Sequence, residues 1–414
     1  MHDNSPKGLQ QILVTAIGPG EISSWLYPLA RVLKDKFPKI RICVVLLPSI
    51  FQSGSEAAVL KRMSEVDSYS TIGQSRRMIF QGILPPGFCR KLKGCVFHLG
   101  GEPILSRLLA LRFKYPLFFY GEEPPRFRFL FERIFLDSYA QISTPKRGHK
   151  IMPVGSLMVD ATRHHTNKHS QRSKFDSFTV GLFPGSRRYQ VKHMLPFFMR
   201  VASLVSAKQP DARWMIAKSD YLSMEDLMEL SGGIDENILE GDRAELKFMN
   251  SSSFLLSEKD IRFEVVTSKT VLSQADVALC LPGSNTAELA SMGIPMMVLT
   301  PSQRPERLPI PGPAGYLDRL PFIGRYLKIF FVWLYWRRSK YLAHPNKKAG
   351  RELVPEIVGQ LTAQQVSDAF LDFIKQPLQP LSAELRDLMG SEGASDRLAN
   401  ELLLFFEKEN GSDE

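Results

Sequence analysis

Two turns with the sequence Pro-Gly-Ser constrain the fold of this chain more than any other feature. They lie in residues 178–187 (FTVGLFPGSR) and residues 276–288 (DVALCLPGSNTAE). In each case a short apolar run ends at the turn, and a segment with helical spacing follows it. Glycine lets the backbone approach an anion, and the first turn of a helix directs N–H groups at that anion. The pattern predicts two strand–turn–helix units that together hold a diphosphate and a ribose.

The size and composition of the chain predict a folded protein with more than one core. At 414 residues, two domains are expected. The 44% hydrophobic and 23% charged residues are typical of a globular protein. The first residues are polar and lead directly into a strand-like run, so no secretory signal is predicted. The four cysteines form no Cys-x-x-Cys pair, which favours buried thiols in a reducing compartment over disulfides or a metal site.

The formal net charge of +10 limits the partners but does not choose among them. A basic protein attracts nucleic acid, anionic lipid headgroups and phosphorylated ligands alike. Because no nucleic-acid-binding signature accompanies the charge, a nucleic-acid partner is not expected. The basic residues are concentrated around an apolar stretch near residue 330, and this placement favours an anionic membrane surface.

Short apolar runs alternate with helix-length segments in both halves of the chain, a pattern typical of parallel sheets covered on both faces. The polar, basic residues 161–176 interrupt the pattern and are predicted to be a linker. We therefore predict an α/β protein with two doubly wound, Rossmann-like domains, residues 1–160 and 177–360, that face one another across a cleft. Residues 361–414 are predicted to form helices that pack back on the N-terminal domain.

The predicted strands are the short apolar runs themselves. Residues 231–258 are predicted to be a loop or short hairpin, and the chain after Val354 is predicted to be mainly helical. The strand predictions are residues 12–17, 40–47, 95–99, 117–120 and 140–143 in the first half, and 180–183, 214–217, 263–267, 277–281 and 296–299 in the second.

Four segments together resemble the lipid-A-disaccharide synthases, a family of glycosyltransferases with the GT-B fold. They are residues 18–21 (GPGE), 182–187 (LFPGSR), 282–288 (PGSNTAE) and 345–356 (PNKKAGRELVPE). The resemblance spans most of the chain and is most specific in the C-terminal half. It implies a divergent relative with the GT-B fold, a UDP-sugar as donor and a lipid-linked acceptor.

The N-terminal half departs from the family pattern at two loops. Ser23-Ser24-Trp25 stands where the family has Ser-Gly-Asp. The family also carries an aspartate, a proposed site of the catalytic base, in the turn that corresponds to residues 99–103 (LGGEP). That aspartate is missing here, and Glu102 is the nearest substitute. The donor half therefore matches the family well and the acceptor half poorly.

The donor site is predicted from the charge that develops during glycosyl transfer. A site without a metal can stabilise a departing diphosphate with helix N–H groups and a guanidinium, here that of Arg187. Glu288 would accept hydrogen bonds from the ribose hydroxyls, and neither a cofactor nor a metal is expected. The alternative is that each turn simply precedes a capped helix, with Ser284 as an N-cap. The candidate donor-binding residues are Gly185, Ser186, Arg187, Gly283, Ser284, Asn285, Thr286 and Glu288.

The candidate catalytic residues are Glu102, Glu21 and Asn346. An inverting transfer needs a general base, and the two glutamates lie in glycine-rich turns at positions that match the family. The alternative for Glu102 is an ordinary solvated carboxylate. The resemblance implies a role in activity for Asn346, and the alternative is a turn residue after Pro345. His98 is predicted to be a core histidine with satisfied hydrogen bonds.

Residues 316–341 combine an apolar run with flanking basic and aromatic residues. The longest uncharged apolar run, residues 329–336, is far shorter than the roughly 20 residues needed to span a bilayer. The segment is therefore predicted to be a helix that lies in the membrane interface. A core helix or a dimer contact is the alternative. The candidate membrane residues are Phe330, Trp333, Trp336, Arg337 and Arg338.

Together these patterns predict a peripheral membrane glycosyltransferase that moves a sugar from a UDP-sugar to a lipid-linked acceptor. The predicted location is the cytoplasm, at the inner face of the membrane, and a homodimer remains open. One alternative is a catalytically silent relative that binds a sugar nucleotide or lipid, as the missing aspartate suggests. Another is a UDP-sugar 2-epimerase, although its soluble substrate would not explain the apolar run at residues 329–336.

Overall fold

The computed structural model describes residues 10–49, 52–137, 151–163, 178–232, 239–249, 252–303 and 340–411. The chain forms two compact units. The N-terminal unit comprises Met1–Ala161 and Gly390–Glu414, and the C-terminal unit comprises Thr162–Met389. All four cysteines are free thiols, and Cys43, Cys95 and Cys280 are buried.

The N-terminal unit is built on a seven-stranded parallel sheet in the order β3-β2-β1-β4-β5-β6-β7. The interior strand QILVTA is buried at every position because neighbouring strands flank it and helices cover the sheet. The strands are Gln11–Ala16 (β1), Arg41–Leu46 (β2), Ser68–Ser70 (β3), Gly94–His98 (β4), Leu117–Gly121 (β5), Arg133–Leu136 (β6) and Ile151–Pro153 (β7).

Helices follow most strands of this sheet, as expected for a doubly wound fold. Two π-helical turns, Ile22–Leu26 and Arg77–Gln81, and a 3₁₀ turn, Arg128–Leu130, supplement them. The α-helices are Pro19–Glu21 (α1), Tyr27–Lys36 (α2), Glu56–Arg62 (α3), Ile72–Arg76 (α4), Pro103–Phe113 (α5) and Leu157–Arg163 (α6).

The C-terminal unit contains an eight-stranded sheet in the order β10-β11-β12-β9-β8-β13-β14-β15. Its pairs are parallel except for β10–β11 and β11–β12, which are antiparallel. The strands are Thr179–Phe183 (β8), Arg213–Lys218 (β9), Ala244–Met249 (β10), Ser252–Ser257 (β11), Arg262–Thr267 (β12), Val277–Cys280 (β13), Met296–Pro301 (β14) and Glu356–Gly359 (β15).

Five helices accompany this sheet in the described residues between 178 and 355. They are Arg188–Ser206 (α7), Met224–Gly232 (α8), Ser268–Gln274 (α9), Ser284–Met292 (α10) and His344–Ala349 (α11).

The last three helices divide between the two units, which differs from the predicted packing of residues 361–414 on the N-terminal domain. Ala363–Ile374 (α12) packs on α7, and the helix Leu378–Met389 (α13) donates from Arg386 Nε to the Met292 carbonyl at 3.1 Å. Both belong to the C-terminal unit. Only Ala394–Gly411 (α14) packs in the N-terminal unit, against α2.

A carboxylate fixes the start of α14 in the N-terminal unit. Asp160 of α6 accepts the N–H groups of Gly393 at 2.8 Å and Ser395 at 2.6 Å. Lys36 of α2 pairs with Asp396 at 2.8 Å. These bonds hold the apolar face of α14 on the core around β1, because the residues preceding the helix cannot shift without losing them.

Two of the predicted segments fall mainly outside the described residues. Of the predicted linker, residues 161–163 end α6 and the remainder lies outside the description. The predicted membrane segment 316–341 lies outside it except for its last two residues. Within the described parts of the chain, every helix is too short or too polar to cross a bilayer.

Candidate donor and acceptor sites

The two Pro-Gly-Ser turns follow strands that are neighbours in the sheet of the C-terminal unit. β8 and β13 pair in parallel, with Phe183 opposite Cys280, so both turns lie at the same edge. β9 and β12 lie on one side of this pair, and β14 and β15 lie on the other. The order of the strands therefore reverses between β8 and β13. In open α/β sheets, ligands bind in the crevice at such a switch point.

The first turn requires a glycine and presents an arginine. Gly185 has a φ of +108°, and a Cβ there would lie 2.7 Å from Gln190 Oε1. Arg187 is the N-cap of α7, and no side chain caps this helix. Its guanidinium is half-buried, donates to Gln190 Oε1 at 3.5 Å and hydrogen-bonds the Tyr189 side chain.

The neighbouring Arg188 has a different environment. It is exposed and forms ion pairs with Asp226 and, at 2.8 Å, with Glu229 of α8. Two adjacent arginines thus have separate roles, since one guanidinium lies at the turn and the other is neutralised by carboxylates.

The second turn opens α10 without a side-chain cap. Gly283 is the N-cap and Ser284 is the first helical residue, so the alternative that Ser284 caps the helix is wrong. The Asn285 side chain folds back toward Gly283, with Oδ1 3.2 Å from the position of a Cβ there. Glu288 is half-buried in the second turn of the helix. A helix start without a capping side chain leaves N–H groups that suit an anion.

Thr286 stabilises this turn through hydrogen bonds. Its side chain is fully buried, its hydroxyl donates to the Gly283 carbonyl at 2.8 Å, and it accepts the His344 N–H at 3.1 Å. The hydroxyl therefore uses its donor and an acceptor lone pair inside the chain. Thr286 ties the start of α10 to the start of α11.

Both polar atoms of the Asn346 side chain form hydrogen bonds within the chain. Its Oδ1 accepts the N–H groups of Leu353 at 2.7 Å and Val354 at 2.9 Å. Its Nδ2 donates to the Val354 carbonyl and to Glu356 Oε1, both at 2.8 Å. The side chain is fully buried. These contacts match the alternative structural role of Asn346 better than contact with a substrate.

Glu356 completes this cluster, and the sequence analysis did not select it. Its carboxylate accepts the N–H groups of Leu342 at 2.8 Å and Ala343 at 2.9 Å in addition to the Asn346 amide. Asn346, Glu356 and Thr286 therefore hold the residues before and within α11 against α10. The only signal in the sequence is that Glu356 ends the PNKKAGRELVPE segment.

The N-terminal unit also has a switch point, and the two candidate glutamates lie beside it. The strand order reverses between β1 and β4. Glu21 lies in α1 after β1, with its Cγ and Oε1 3.1 and 3.2 Å from the position of a Cβ on Gly100. Glu102 follows β4 as the N-cap of α5, and its side chain is exposed. The structure therefore brings the loop of Glu21 beside the turn that carries Glu102.

A buried polar group lies beneath this turn. The Thr15 carbonyl accepts the N–H groups of Leu99 and Gly100, both at 3.2 Å. The His98 Nδ1 lies 2.8 Å from Ser106 Oγ and 3.3 Å from Thr15 Oγ1. Burial lowers the pKa of His98 to about 4, so the ring is neutral at pH 7. The prediction of a core histidine with satisfied hydrogen bonds is confirmed.

Curated relatives share a name and a low sequence identity with this chain. No family model matches it. A lipid-A-disaccharide synthase of Gloeothece citriformis is 23% identical over 273 residues, which cover 62% of this chain and 58% of that protein. One from Escherichia coli O157:H7 is 24% identical over 380 residues, covering 84% and 85%. The chain spans little more than half of the Gloeothece protein and of an Alteromonas mediterranea synthase (52%).

Solved structures establish the fold class. An S. aureus MnaA–UDP co-structure matches with a TM-score of 0.55 at 12% identity, covering 96% of this chain and 97% of that one. UDP-GlcNAc 2-epimerase from Neisseria meningitidis bound to UDP-GlcNAc matches with a TM-score of 0.52 at 14% identity, covering 95% and 100%. These similarities confirm the predicted GT-B fold. The chain is a divergent relative of the lipid-A-disaccharide synthases with that fold.

Proposed function

We propose that the protein is a peripheral membrane glycosyltransferase that transfers a sugar from a UDP-sugar to a lipid-linked acceptor. The observation that carries the proposal is the position of the two Pro-Gly-Ser turns, which end the adjacent strands β8 and β13 at a switch point. The curated relatives named lipid-A-disaccharide synthase support this reaction class, and solved GT-B structures with bound UDP or UDP-GlcNAc support the donor.

In the C-terminal unit, the donor diphosphate would bind between the two turns. The Arg187 guanidinium suits a phosphate because it can donate two parallel hydrogen bonds. The N–H groups at the start of α10 suit the second phosphate, and Glu288 would accept from the ribose hydroxyls. Gly185, Ser186, Gly283, Ser284 and Asn285 would form the walls of this cradle, and the buried Thr286 would hold its shape. No metal or cofactor is included in the proposal.

In the N-terminal unit, Glu102 would act as the general base. The acceptor hydroxyl oxygen attacks the anomeric carbon of the sugar, and the bond from that carbon to the diphosphate breaks. The acceptor proton passes to the Glu102 carboxylate, and UDP leaves with the negative charge that Arg187 and the α10 N–H groups stabilise. Glu102 suits this role because it is exposed at the end of a glycine turn. Glu21, beside Gly100, would orient the acceptor.

We propose further that the protein associates with the inner face of the membrane. The acceptor would be a lipid, and residues 316–341 carry the predicted interfacial helix with Phe330, Trp333 and Trp336. A homodimer stays a prediction. The two alternatives from the sequence predict different outcomes with a UDP-sugar, because a silent relative makes no product and a 2-epimerase makes another UDP-sugar, so one experiment separates them.

The test is incubation of the purified protein with labelled UDP-sugars and a native lipid extract. Transfer predicts label in the lipid fraction, release of UDP, and loss of both in a Glu102→Gln variant. A silent binding protein would bind UDP in calorimetry and label no lipid. A 2-epimerase would convert the UDP-sugar in the aqueous fraction without any lipid. Either of these results would contradict the proposed transferase.

A further inference from the structure

The helix α5, which follows Glu102, has apolar residues on more than one face. Within PILSRLLALRF only Ser106, Arg107 and Arg112 are polar. Leu109, Ala110 and Phe113 are buried against the sheet. A helix that is apolar all round is normally buried on all sides or lies in a membrane. The second apolar face of α5 therefore requires an explanation.

That second face is exposed. Ile104, Leu108 and Leu111 follow each other at helical spacing and expose 54%, 37% and 58% of their surface. The π-helical turn Arg77–Gln81 and the loop after it extend the same surface, because Phe80 and Ile83 expose 60% and 54%. We call these five residues the apolar stripe.

The two parts of the stripe are fixed to each other within the N-terminal unit. Arg112 donates to the carbonyls of Ile79 at 3.3 Å and Phe80 at 2.8 Å. Arg90 donates to the Gly82 carbonyl at 2.9 Å, and its guanidinium lies 5.8 Å from the centre of the Phe113 ring. The stripe is thus one surface held by bonds on both sides.

The charge around the stripe identifies its partner. Residues 68–120 contain a single acidic residue, Glu102, and basic residues are placed on both sides of the apolar side chains. Arg76 and Arg77 are exposed one helical turn before Phe80, and Lys114 is exposed after Leu111. The basic residues of this segment are Arg76, Arg77, Arg90, Lys91, Lys93, Arg107, Arg112 and Lys114.

We propose that the apolar stripe of the N-terminal unit is a surface by which this protein docks on an anionic lipid bilayer. An apolar face flanked by Lys and Arg is the pattern of helices that lie in the membrane interface, since the apolar groups enter the acyl boundary while the cations meet lipid phosphates. A second copy of the same face would fit poorly, because it would bring two basic surfaces together.

Docking at the stripe has a consequence for the neighbouring turn. Ile104 lies two residues after Glu102, the N-cap of the same helix. A bilayer that accepts the stripe would therefore hold the Gly100–Glu102 turn near the lipid headgroups. This consequence rests on the proposed function, because the hydroxyl of a lipid-linked acceptor is found at that depth. Docking itself does not depend on sugar transfer.

The test measures vesicle binding by sedimentation and UDP binding by calorimetry on the same full-length variants. Vesicles contain phosphatidylcholine alone or with about a quarter phosphatidylglycerol. The stripe variant carries Phe80→Ser, Leu108→Ser and Leu111→Ser, and we expect its affinity for anionic vesicles to fall at least about tenfold. The charge variant carries Arg76→Gln and Arg77→Gln. We expect it to lose about tenfold on anionic vesicles and little on neutral ones.

A matched control comes from the C-terminal unit. Phe248 and Met249 near the β10–β11 turn are also exposed, so Phe248→Ser with Met249→Ser removes apolar surface elsewhere. This control should bind vesicles like the parent. Unchanged UDP affinity and melting temperature in all variants would show that they fold.

Four results would overturn the proposal. They are a parent protein that does not bind anionic vesicles, a stripe variant that binds as tightly as the parent, a control that loses as much as the stripe variant, and a parent dimer that the stripe variant dissociates. A further variant carries Phe330→Ser, Trp333→Ser and Trp336→Ser together. If this variant loses vesicle binding while the stripe variant binds as tightly as the parent, the proposal is also overturned. A protein that docks but transfers no sugar would contradict the proposed function and leave the docking surface standing.

Discussion

Each of the two units of this protein has a sheet in which most neighbouring strands are parallel, and each places candidate residues where its strand order reverses. In the C-terminal unit the two turns at this position offer helix N–H groups and the Arg187 guanidinium. In the N-terminal unit the corresponding loops offer the carboxylates of Glu21 and Glu102. One edge therefore suits an anion and the other suits a group that releases a proton.

The units also differ in how their turns are supported. The start of α10 is tied to α11 through Thr286, and the residues before α11 are held by Asn346 and Glu356. In the N-terminal unit the Thr15 carbonyl holds the start of the turn, while Glu102 itself is exposed. A rigid cradle suits a diphosphate of fixed shape, and an open turn tolerates a variable acceptor. This contrast agrees with the better family resemblance of the donor half.

The sharpest test of this contrast is to remove the carboxylate of Glu102 from the exposed turn of the N-terminal unit. Glu102→Gln keeps the size of the side chain and removes the base, so we expect kcat for sugar transfer to fall about a hundred- to ten-thousandfold, or about 3–5 kcal/mol. UDP affinity should not change, because Glu102 belongs to the N-terminal unit. Glu123→Gln, an exposed glutamate after β5, is the matched control and should stay near the parent rate. A Glu102→Gln variant with parental kcat would rule out Glu102 as the base.

The second test concerns the support of the donor half. Asn346→Asp would place a carboxylate against Glu356 Oε1, now 2.8 Å from the amide nitrogen, in a fully buried position. We expect the free energy of unfolding in urea to fall by about 3–4 kcal/mol because a fully buried carboxylate would face the half-buried carboxylate of Glu356. Asn285→Asp, near the start of α10, should change it by less than about 1 kcal/mol.

A different result for Asn346 would restore its catalytic role. Loss of kcat with unchanged unfolding free energy and unchanged UDP affinity is the signature of a group that contacts the reacting atoms. Loss of stability together with weaker UDP binding is the signature of a residue that positions the cradle.

The sequence predicted the central strands because they are apolar runs buried on both faces, as in β1, β8 and β13. It missed three strands at the edges of the sheets. Ser68–Ser70, Ile151–Pro153 and Glu356–Gly359 are only partly buried and owe their extended form to pairing with a neighbour. Pairing of this kind is set by tertiary contacts that no local pattern contains.

The candidate donor site, like the strands, could be predicted only in part. The adjacency of the two turns follows from the GT-B fold, which the motifs had indicated. The sequence did not show that the side chains of Thr286 and Asn346 already form hydrogen bonds within the chain. Their partners are backbone groups of His344, Leu353 and Val354, which no sequence motif identifies. A residue type shows which hydrogen bonds a side chain can make but not whether the chain has already used them. Residues 140–143, predicted as a strand, lie outside the described part of the chain.

The third test uses the buried histidine of the N-terminal unit. The pKa of His98 falls from an ordinary 6.5 to about 4 in the folded protein. Below pH 6.5 the unfolded chain binds a proton that the folded chain does not, so the unfolding free energy falls as the pH is lowered toward 4. The contribution reaches about 3 kcal/mol at that end.

His98→Gln isolates this effect. Glutamine keeps a polar atom for Ser106 but does not titrate, so the variant should lose less stability than the parent between pH 7 and pH 4. The measurement is the urea unfolding free energy of both proteins across this range, where the contributions of other groups cancel in the comparison. Parallel curves would show that His98 is accessible to protons in the folded state.

The smallest effect is expected at the donor arginine, where the adjacent residue provides the control. Arg187→Ala should weaken UDP binding by about 1.5–3 kcal/mol, since it removes charge-assisted hydrogen bonds to a phosphate. Arg188→Ala should change it by less than about 0.5 kcal/mol, because that guanidinium is already paired with Asp226 and Glu229 in an exposed position. Arg187→Lys should lie between them, since lysine keeps the charge but cannot donate two parallel bonds. Calorimetric titration with UDP measures all three. Equal losses in the Arg187→Ala and Arg188→Ala variants would mean that the net charge of α7 attracts the nucleotide, and the cradle formed by the two turns would lose its central contact.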